Sequence, residues 1–405
     1  MIPVDEALDR ITRDLVPVAA ETVALSGGAG RVLAADVTAR RTQPPVAVSA
    51  MDGYAVRAED VAEVPATLTV IGEAPAGTAF EGLVGPAQAV RIFTGGPLPR
   101  GADTIVIQEH VERSDTARIT VGESASRGTY VRPAGLDFEA GTVGLRAPRR
   151  LTPYDIGLAA AMNVPWLKVR RYPRVALLAN GDELAYPGEP LGPNQIVCSN
   201  ALALAALIGA AGATPIDLGI APDDAGALAA MAAGARGADL LVTMGGASVG
   251  DYDLVRSALD EAGLDLDFWK IAMRPGKPLI FGHIGDTPML GMPGNPVSAL
   301  VCGVVFLLPA IARLLGLDDG GLAQTTARLG RDLGKNDRRQ DYLRARLERD
   351  DDGRLVAMPF TLQDSSVISG LAHADCLVVR PPHAPAARRG ETVAILPLDP
   401  ARVAG

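Results

Sequence analysis

Cysteine is scarce: Cys198, Cys302 and Cys376 are the only three in 405 residues, scattered and without C-x-x-C spacing. That excludes a disulfide framework or a cysteine zinc site and suits reduced thiols in the cytoplasm. Histidine is equally thin, four residues without partners at informative spacing, so no Ser-His-Asp or Cys-His set stands out. There is no G-x-x-x-x-G-K-[ST] loop, which argues against an ordinary ATPase. Positive charge is in deficit, 38 Lys and Arg against 47 Asp and Glu, a formal −9. Nucleic acid is therefore not the expected partner, and any bound anion needs a locally basic pocket. The longest apolar run, residues 297–312, is interrupted by Pro309, so no membrane span is expected. The opening M-I-P-V-D-E-A-L-D-R has neither a basic n-region nor an apolar h-region, so a signal peptide is not expected either.

What is present suits a globular chain of about two to four domains, with 48% hydrophobic residues for burial. Val4, Leu8, Ile11 and Leu15 fall at helical spacing, predicting an opening amphipathic helix that ends near Pro17. Residues 21–37 read as short strands. From 41 to 140 proline and glycine recur, and strands at 66–71, 89–93, 104–108 and 118–121 predict a separate β-domain. In that stretch Asp52 followed by Gly53 reads as a hairpin turn. A helical pattern returns in 151–169. Residues 174–317 then alternate: strand 175–179, helix 200–209 capped by Asn200, strand 214–218, helix 223–235 capped by Asp223 or Asp224, strand 239–243 and helix 254–262. Strands 267–271 and 278–281 and a last apolar helix capped by Asn295 complete a doubly wound α/β domain. Residues 318–326 read as a linker, followed by strands at 343–347, 355–359, 377–379 and 392–396 in a small β-domain.

The chemistry gathers around residues 238–253, A-D-L-L-V-T-M-G-G-A-S-V-G-D-Y-D. A buried strand running through Gly245, Gly246 and Gly250 into a helix start is an anion site, because free N–H groups point outward there. A capped helix after a tight turn is the plainer reading of the same string. In an open parallel sheet ligands bind beyond the carboxyl ends of the strands. That edge collects Asp182 and Glu183, then Asp223 and Asp224, then Ser248, Asp251 and Asp253. Acids gathered in one cleft cost stability unless a cation joins them, and a divalent ion bridging carboxylate and phosphate oxygens resolves the conflict. R-P-G-K-P places Arg274 and Lys277 on a proline-stiffened turn, which suits an oxyanion or a surface turn alike. G-M-P-G-N-P-V-S, residues 291–298, is a second glycine turn into a helix, whose free N–H groups also favour anions.

Taken in order, P-x-x-x-x-S-A-M-D-G-Y-A-V, R-I-F-T-G, G-A-D-T-I-V-x-Q-E, N-G-D-E-L, G-G-A-S-V-G-D-Y-D, M-R-P-G-K-P and G-M-P-G-N-P-V-S closely resemble the molybdopterin molybdenumtransferase family, MoeA and the gephyrin E-domain. The resemblance covers essentially the whole chain from residue 21 onward. It implies a multidomain α/β plus β fold. A doubly wound MogA-like α/β domain (171–318) carries the N-terminal helix (1–20). An inserted β-domain (41–140), a small linking domain (21–40 and 141–170) and a C-terminal β-barrel-like domain (319–405) complete it. The implied reaction inserts molybdate into the dithiolene of adenylylated molybdopterin, releasing AMP, with Mg2+. An elongated cytoplasmic homodimer, fed by a molybdopterin adenylyltransferase, is also implied.

Carried over by motif, Asp52, Thr94, Glu109, Glu183, Asp253 and Lys277 are the expected catalytic residues. Glu183, Asp253 and Asp223 are the expected metal ligands. Ser248, Arg274, Lys277, Asn295, Ser298, Arg344, Ser365, Ser366 and Ser369 are expected to face the substrate. The set is coherent, since molybdate is a dianion that accepts hydrogen bonds from guanidinium, ammonium and hydroxyl groups. The chain departs from the family pattern at Gly96, Asn180, Cys198 and Arg274, none of which removes a proposed charge. Two other readings stay open. A CinA-like nucleotide pyrophosphatase shares a related α/β module but not the Asp52 loop or S-S-V-I-S. A non-catalytic scaffold would not need the retained acids and bases.

Overall fold

The computed structural model describes residues 1–114, 117–245, 263–318 and 323–398. The polypeptide divides into two compact units, Thr22–Val169 and the remainder, Met1–Glu21 with Arg170–Gly405.

The larger unit is built on a six-stranded sheet in the order Thr214–Ala221, Arg174–Asn180, Leu240–Met244, Thr287–Met292, Ile280–Ile284, Leu264–Phe268. The first four strands are parallel, and Ile280–Ile284 runs antiparallel to both of its neighbours. Central strands buried on both faces need continuous apolar sequence, and V-A-L-L-A-N and L-L-V-T-M supply it. Ala176, Leu178, Leu241 and Met289 pack with Leu228 and Ala232 of the helix Ala225–Ala232 into one core. The opening helix Val4–Arg13 belongs to this unit; it buries Val4, Ala7 and Ile11 and pairs Arg10 with Asp267 at 2.8 Å.

Residues 296–314 form one helical run, long and apolar enough by length and composition to cross a membrane, but 67% buried inside the protein. Pro309 does not interrupt it. The preceding turn, Gly303–Leu307, widens to a π-turn, which removes the clash a proline ring makes with the carbonyl four residues back.

The second sheet of this unit closes on itself. Gln340–Arg349, Leu355–Pro359, Thr325–Leu329, Thr392–Pro397 and Cys376–Arg380 form a ring of five, because Cys376–Arg380 pairs back with Gln340–Arg349. A sixth short strand, Met273–Arg274, reaches out of the α/β domain and pairs in parallel with the start of Gln340–Arg349. Thr325–Leu329, expected to begin in a linker, is a full barrel strand, and its alternating burial leaves Ala327 and Leu329 inside.

The smaller unit has a six-stranded sheet in the order Thr104–Ile107, Gly53–Val56, Gln88–Ile92, Ala66–Ala74, Arg118–Val121, Val111–Arg113. The same unit contains the helix Pro153–Ala161, opened by a capping box in which Thr152 and Asp155 bond each other reciprocally.

Several local expectations are corrected. Asp52 and Gly53 do not make a hairpin turn; Gly53 opens a strand whose four residues are all buried. A Cβ on Gly53 would lie 2.1 Å from the Val106 carbonyl oxygen, so glycine serves close strand approach there. Asn200 is not the cap of Ser199–Ala210: Cys198 holds that position, and Asn200 donates to the Gly294 carbonyl at 2.7 Å. Of the two acids left open as the cap of Ala225–Ala232, Asp224 takes the position, accepting from Ala227 N–H at 2.7 Å. The strands expected at 267–271 and 278–281 fall at Leu264–Phe268 and Ile280–Ile284, and Thr287–Met292 was not anticipated. The helix expected at 254–262 lies outside the described residues.

Candidate functional site

At the carboxyl edge of the parallel strands, Arg174–Asn180 and Thr214–Ala221 end side by side and their following loops interlock. Asn180, only 4% exposed, donates its amide to Asp223 at 2.8 Å. Asp182 Oδ1 accepts from Asp223 N–H at 3.1 Å, and Asp182 N–H donates to Asp223 Oδ2 at 3.4 Å. Gly245, at φ +102°, ends the third strand so close that a Cβ would sit 2.3 Å from the Asn180 carbonyl. Three strand ends are thereby brought to one rim. Glu183 is exposed there, while Asp223 is held in the clasp. Ser248, Asp251 and Asp253 lie outside the described residues.

The basic turn is tied to the barrel. Arg274 pairs with Asp341 through Nη2 and approaches Asp337 at 3.5 Å through Nη1. Asp341, 4% exposed, holds the Arg274 guanidinium above its ordinary value, chiefly by direct hydrogen bonding. Asp337 is held down at about 2, first by the Arg339 side chain and then by its N–H, with Arg274 adding to both. Lys277 stands exposed on the same turn. Asn295 occupies the cap position of Pro296–Cys302 without capping it; its amide donates to Ser365 Oγ at 3.1 Å. Ser298 is buried in that helix.

Arg344 does not face open space. At 1% exposure it donates to the Asp364 carbonyl at 2.9 Å and the Leu362 carbonyl at 3.4 Å, and burial lowers its pKa. It fixes the loop that presents the serines. Ser366 is turned onto Asp364 at 2.6 Å, which depresses the Asp364 carboxyl, whereas Ser369 is exposed and its carbonyl receives His373.

In the smaller unit, Asp52 and Thr94, far apart in sequence, are in contact. Asp52 Oδ1 accepts both the Thr94 N–H at 2.7 Å and the Thr94 hydroxyl at 2.8 Å. These bonds, the N–H first, hold the Asp52 carboxyl below its usual range, and the charge of Arg91 assists. Glu109 is exposed and receives the Gln108 amide at 3.4 Å. Arg91 and Asp341 carry contacts that no expectation assigned. Arg91 lies in R-I-F-T-G, inside the expected strand 89–93, where its charge was the signal; Asp341 lies two residues before the expected strand 343–347 and carried none.

The fit to a divalent cation is partial. No group of three or more His, Cys, Asp or Glu side chains suited to a metal occurs among the described residues. Asp223, expected as a ligand, has both carboxylate oxygens engaged by Asn180 and Asp182. Glu183 is the one expected ligand left open, and Asp253 lies outside the described residues.

Three family models match the chain: the MoeA N-terminal region (domain I and II) over residues 2–163, a probable molybdopterin binding domain over 176–313, and the MoeA C-terminal region (domain IV) over 326–398. Among curated relatives, the molybdopterin molybdenumtransferase of Haemophilus influenzae is 33% identical, covering 98% of this chain and 99% of that one. That of Bacillus subtilis is 34% identical over 98% and 94% of the two. The structure of the molybdopterin biosynthesis MoeA protein from Pyrococcus horikosii superimposes with a TM-score of 0.86 at 32% identity, covering 98% and 99% of the two chains.

Proposed function

The chain belongs to the MoeA family of molybdopterin molybdenumtransferases, and we propose that it acts in molybdenum cofactor biosynthesis by inserting molybdate into the dithiolene of adenylylated molybdopterin, with release of AMP. One observation carries the reading: the likeness runs through every domain, the Asp52 unit and the closed barrel included, and not through the α/β module alone. A nucleotide pyrophosphatase sharing only that module would not require it.

Glu183 and, outside the described residues, Asp253 are the proposed holders of Mg2+, which when bound supplies charge neutralisation at a phosphoanhydride. Lys277 supplies an exposed cation for molybdate, and Ser365 and Ser369 supply hydroxyl donors, whereas the Ser366 hydroxyl is already given to Asp364. Arg274, already neutralised by Asp341 and Asp337, contributes less positive field than Lys277 and acts mainly to fix the turn. The proposal extends to a cytoplasmic homodimer receiving its substrate from a molybdopterin adenylyltransferase, without nucleic acid or membrane.

The test is AMP release from adenylylated molybdopterin, with and without molybdate and Mg2+. Release that needs both supports the transferase, and Glu183→Ala should abolish it. Hydrolysis of plain dinucleotide pyrophosphates without molybdate would instead indicate a CinA-like enzyme. No release from a folded, substrate-bound protein would indicate a carrier or scaffold.

A further inference from the structure

We propose that Arg91 is a positioning residue for the Asp52 site, its guanidinium locking together the strand ends that present Asp52, Thr94 and Glu109. The proposal deepens the function above and rests on it.

Arg91 lies half-buried in the strand Gln88–Ile92, directly across from Tyr54 in the neighbouring strand. Its Nη1 donates to the carbonyl of Gly53, the residue after Asp52, at 3.2 Å. Its Nη2 donates to the side-chain oxygen of Gln108, the residue before Glu109, at 2.7 Å. Gln108 in turn donates its backbone N–H to the Asp52 carbonyl at 3.2 Å. The guanidinium carbon lies 5.0 Å from the ring centres of both Tyr54 and Phe93, and Phe93 immediately precedes Thr94. One planar cation thus touches a neighbour of each of the three candidate residues without replacing any of them.

That geometry requires arginine. The two bonds leave different nitrogens of the fork for different strand ends, while the flat face rests on aromatic rings; a lysine ammonium is a compact point charge with neither the fork nor the face, so it cannot reproduce all of these contacts together. The charge also suits the place. Asp52 and Glu109 are both exposed carboxylates, Glu73 stands in register with Arg91 on the other neighbouring strand, and Arg113 is the nearby second cation, bonded to the Tyr54 hydroxyl at 3.0 Å. Arg91 offsets the local excess of acid and keeps one Asp52 oxygen on Thr94, so the other is presented in a fixed direction.

The experiment compares Arg91→Ala, Arg91→Lys, Gln108→Ala and the Arg91→Ala/Gln108→Ala double variant of the full chain. It uses adenylylated molybdopterin, molybdate and Mg2+. Misplacement of the candidate groups should lower kcat roughly 10- to 100-fold in Arg91→Ala, with KM within about threefold of wild type. Arg91→Lys should not rescue kcat. The double variant should be no worse than Arg91→Ala, because both changes break one connection. A kcat within about twofold of wild type in Arg91→Ala, or losses that multiply in the double variant, would overturn the proposal. Should Arg91→Ala fail to fold, Gln108→Ala and Arg91→Lys decide in the same way: reduced kcat in both supports it, wild-type kcat in both refutes it. Should the wild-type protein release no AMP, the functional reading fails on its own. Arg91 is then judged by the carboxyl carbon signal of Asp52 in aspartate-labelled protein, assigned through its loss in Asp52→Asn. A higher titration midpoint in Gln108→Ala, which keeps the Arg91 charge and breaks its contact, supports the positioning role, and an unchanged one refutes it.

Discussion

Asp223 separates a structural role from a metal role, and the clasp it forms gives the separation a magnitude. Replacing it by alanine removes the one partner that the Asn180 amide has among the described residues, on a side chain that is 4% exposed and whose Oδ1 has none among them. One newly unpaired buried donor costs about 1–3 kcal/mol. The second contact, Asp182 N–H at 3.4 Å, is long and exposed, so water replaces it at little cost. Loss of a carboxylate one residue outside the capped start of Ala225–Ala232 adds a few tenths of a kcal/mol. The expected destabilisation is about 2 kcal/mol, a roughly 30-fold rise in the unfolded fraction. Asp223→Asn keeps an acceptor for Asn180 and should cost about half as much. Because a chain of two units need not unfold in one step, the probe must report on the α/β domain. Trp269 packs against its core, and Trp166→Phe leaves Trp269 as the sole tryptophan. Urea unfolding followed by its fluorescence, in buffer with EDTA, measures the clasp alone. If Asp223→Ala unfolds within about 0.5 kcal/mol of its background there, and differs only once Mg2+ is added, Asp223 is a metal ligand and the clasp argument is wrong.

Other substitutions test neighbouring statements. Arg274→Ala leaves Asp341 buried beside an empty position, with one of its oxygens already unpartnered among the described residues; unfolding monitored by circular dichroism should show a loss of about 3 kcal/mol, and a neutral result would refute the ion pair's role in holding the turn. Gly53→Ala should destabilise the smaller unit by about 2–3 kcal/mol in thermal unfolding, since the obstructing atom is the Val106 backbone oxygen and cannot rotate away. Thr152→Ala removes a capping box worth about 1 kcal/mol at neutral pH. Burial pushes the Asp155 carboxyl up, but the Thr152 N–H and hydroxyl together with Arg149 outweigh it, so its net shift is downward. The box is therefore fully stabilising above the ordinary aspartate pKa of about 4 and is lost as pH falls through the depressed value, so the wild-type advantage over Thr152→Ala should shrink in acid. Lys277→Ala, at an exposed side chain, should leave the unfolding midpoint unchanged while raising KM for molybdate; a large stability loss would assign it to the scaffold instead.

The acidic rim was legible because it follows from chain direction. Parallel strands bring their carboxyl ends to one edge, so N-G-D-E-L and P-D-D had to meet there whatever their side chains did. Which acid would be free was not legible. Asp223 and Glu183 look alike in sequence, and only the arrival of Asn180 and Asp182 from the adjacent strand distinguishes them. Gly53 misled for a related reason: its turn propensity is local, while the contact that requires it comes from Val106, more than fifty residues away. Pro309 misled because a helix can widen by one residue per turn ahead of a proline when packing holds it in place. Arg344 carried a usable warning, since it lies two residues from buried Tyr342 and shares its face of the strand.

Buried polar groups divide the labour at the candidate site. Four buried side-chain atoms lack a hydrogen-bond partner among the described residues, on Asn180, Arg331, Asp341 and Arg344. Each of these side chains nevertheless holds another segment through its remaining atoms: Asn180 holds Asp223, Asp341 holds Arg274, Arg331 holds the Phe360 carbonyl, and Arg344 holds the loop at 362–364. An unpartnered buried atom costs stability, so retaining four of them makes sense only if the segments they fix are worth fixing. Those segments carry or adjoin Glu183, Lys277 and Ser365, whose side chains are exposed or half-exposed. In the proposed function these buried side chains act as fixtures, and the chemistry is assigned to the exposed groups beside them. Arg91 follows the same pattern in the smaller unit, half-buried behind two exposed carboxylates.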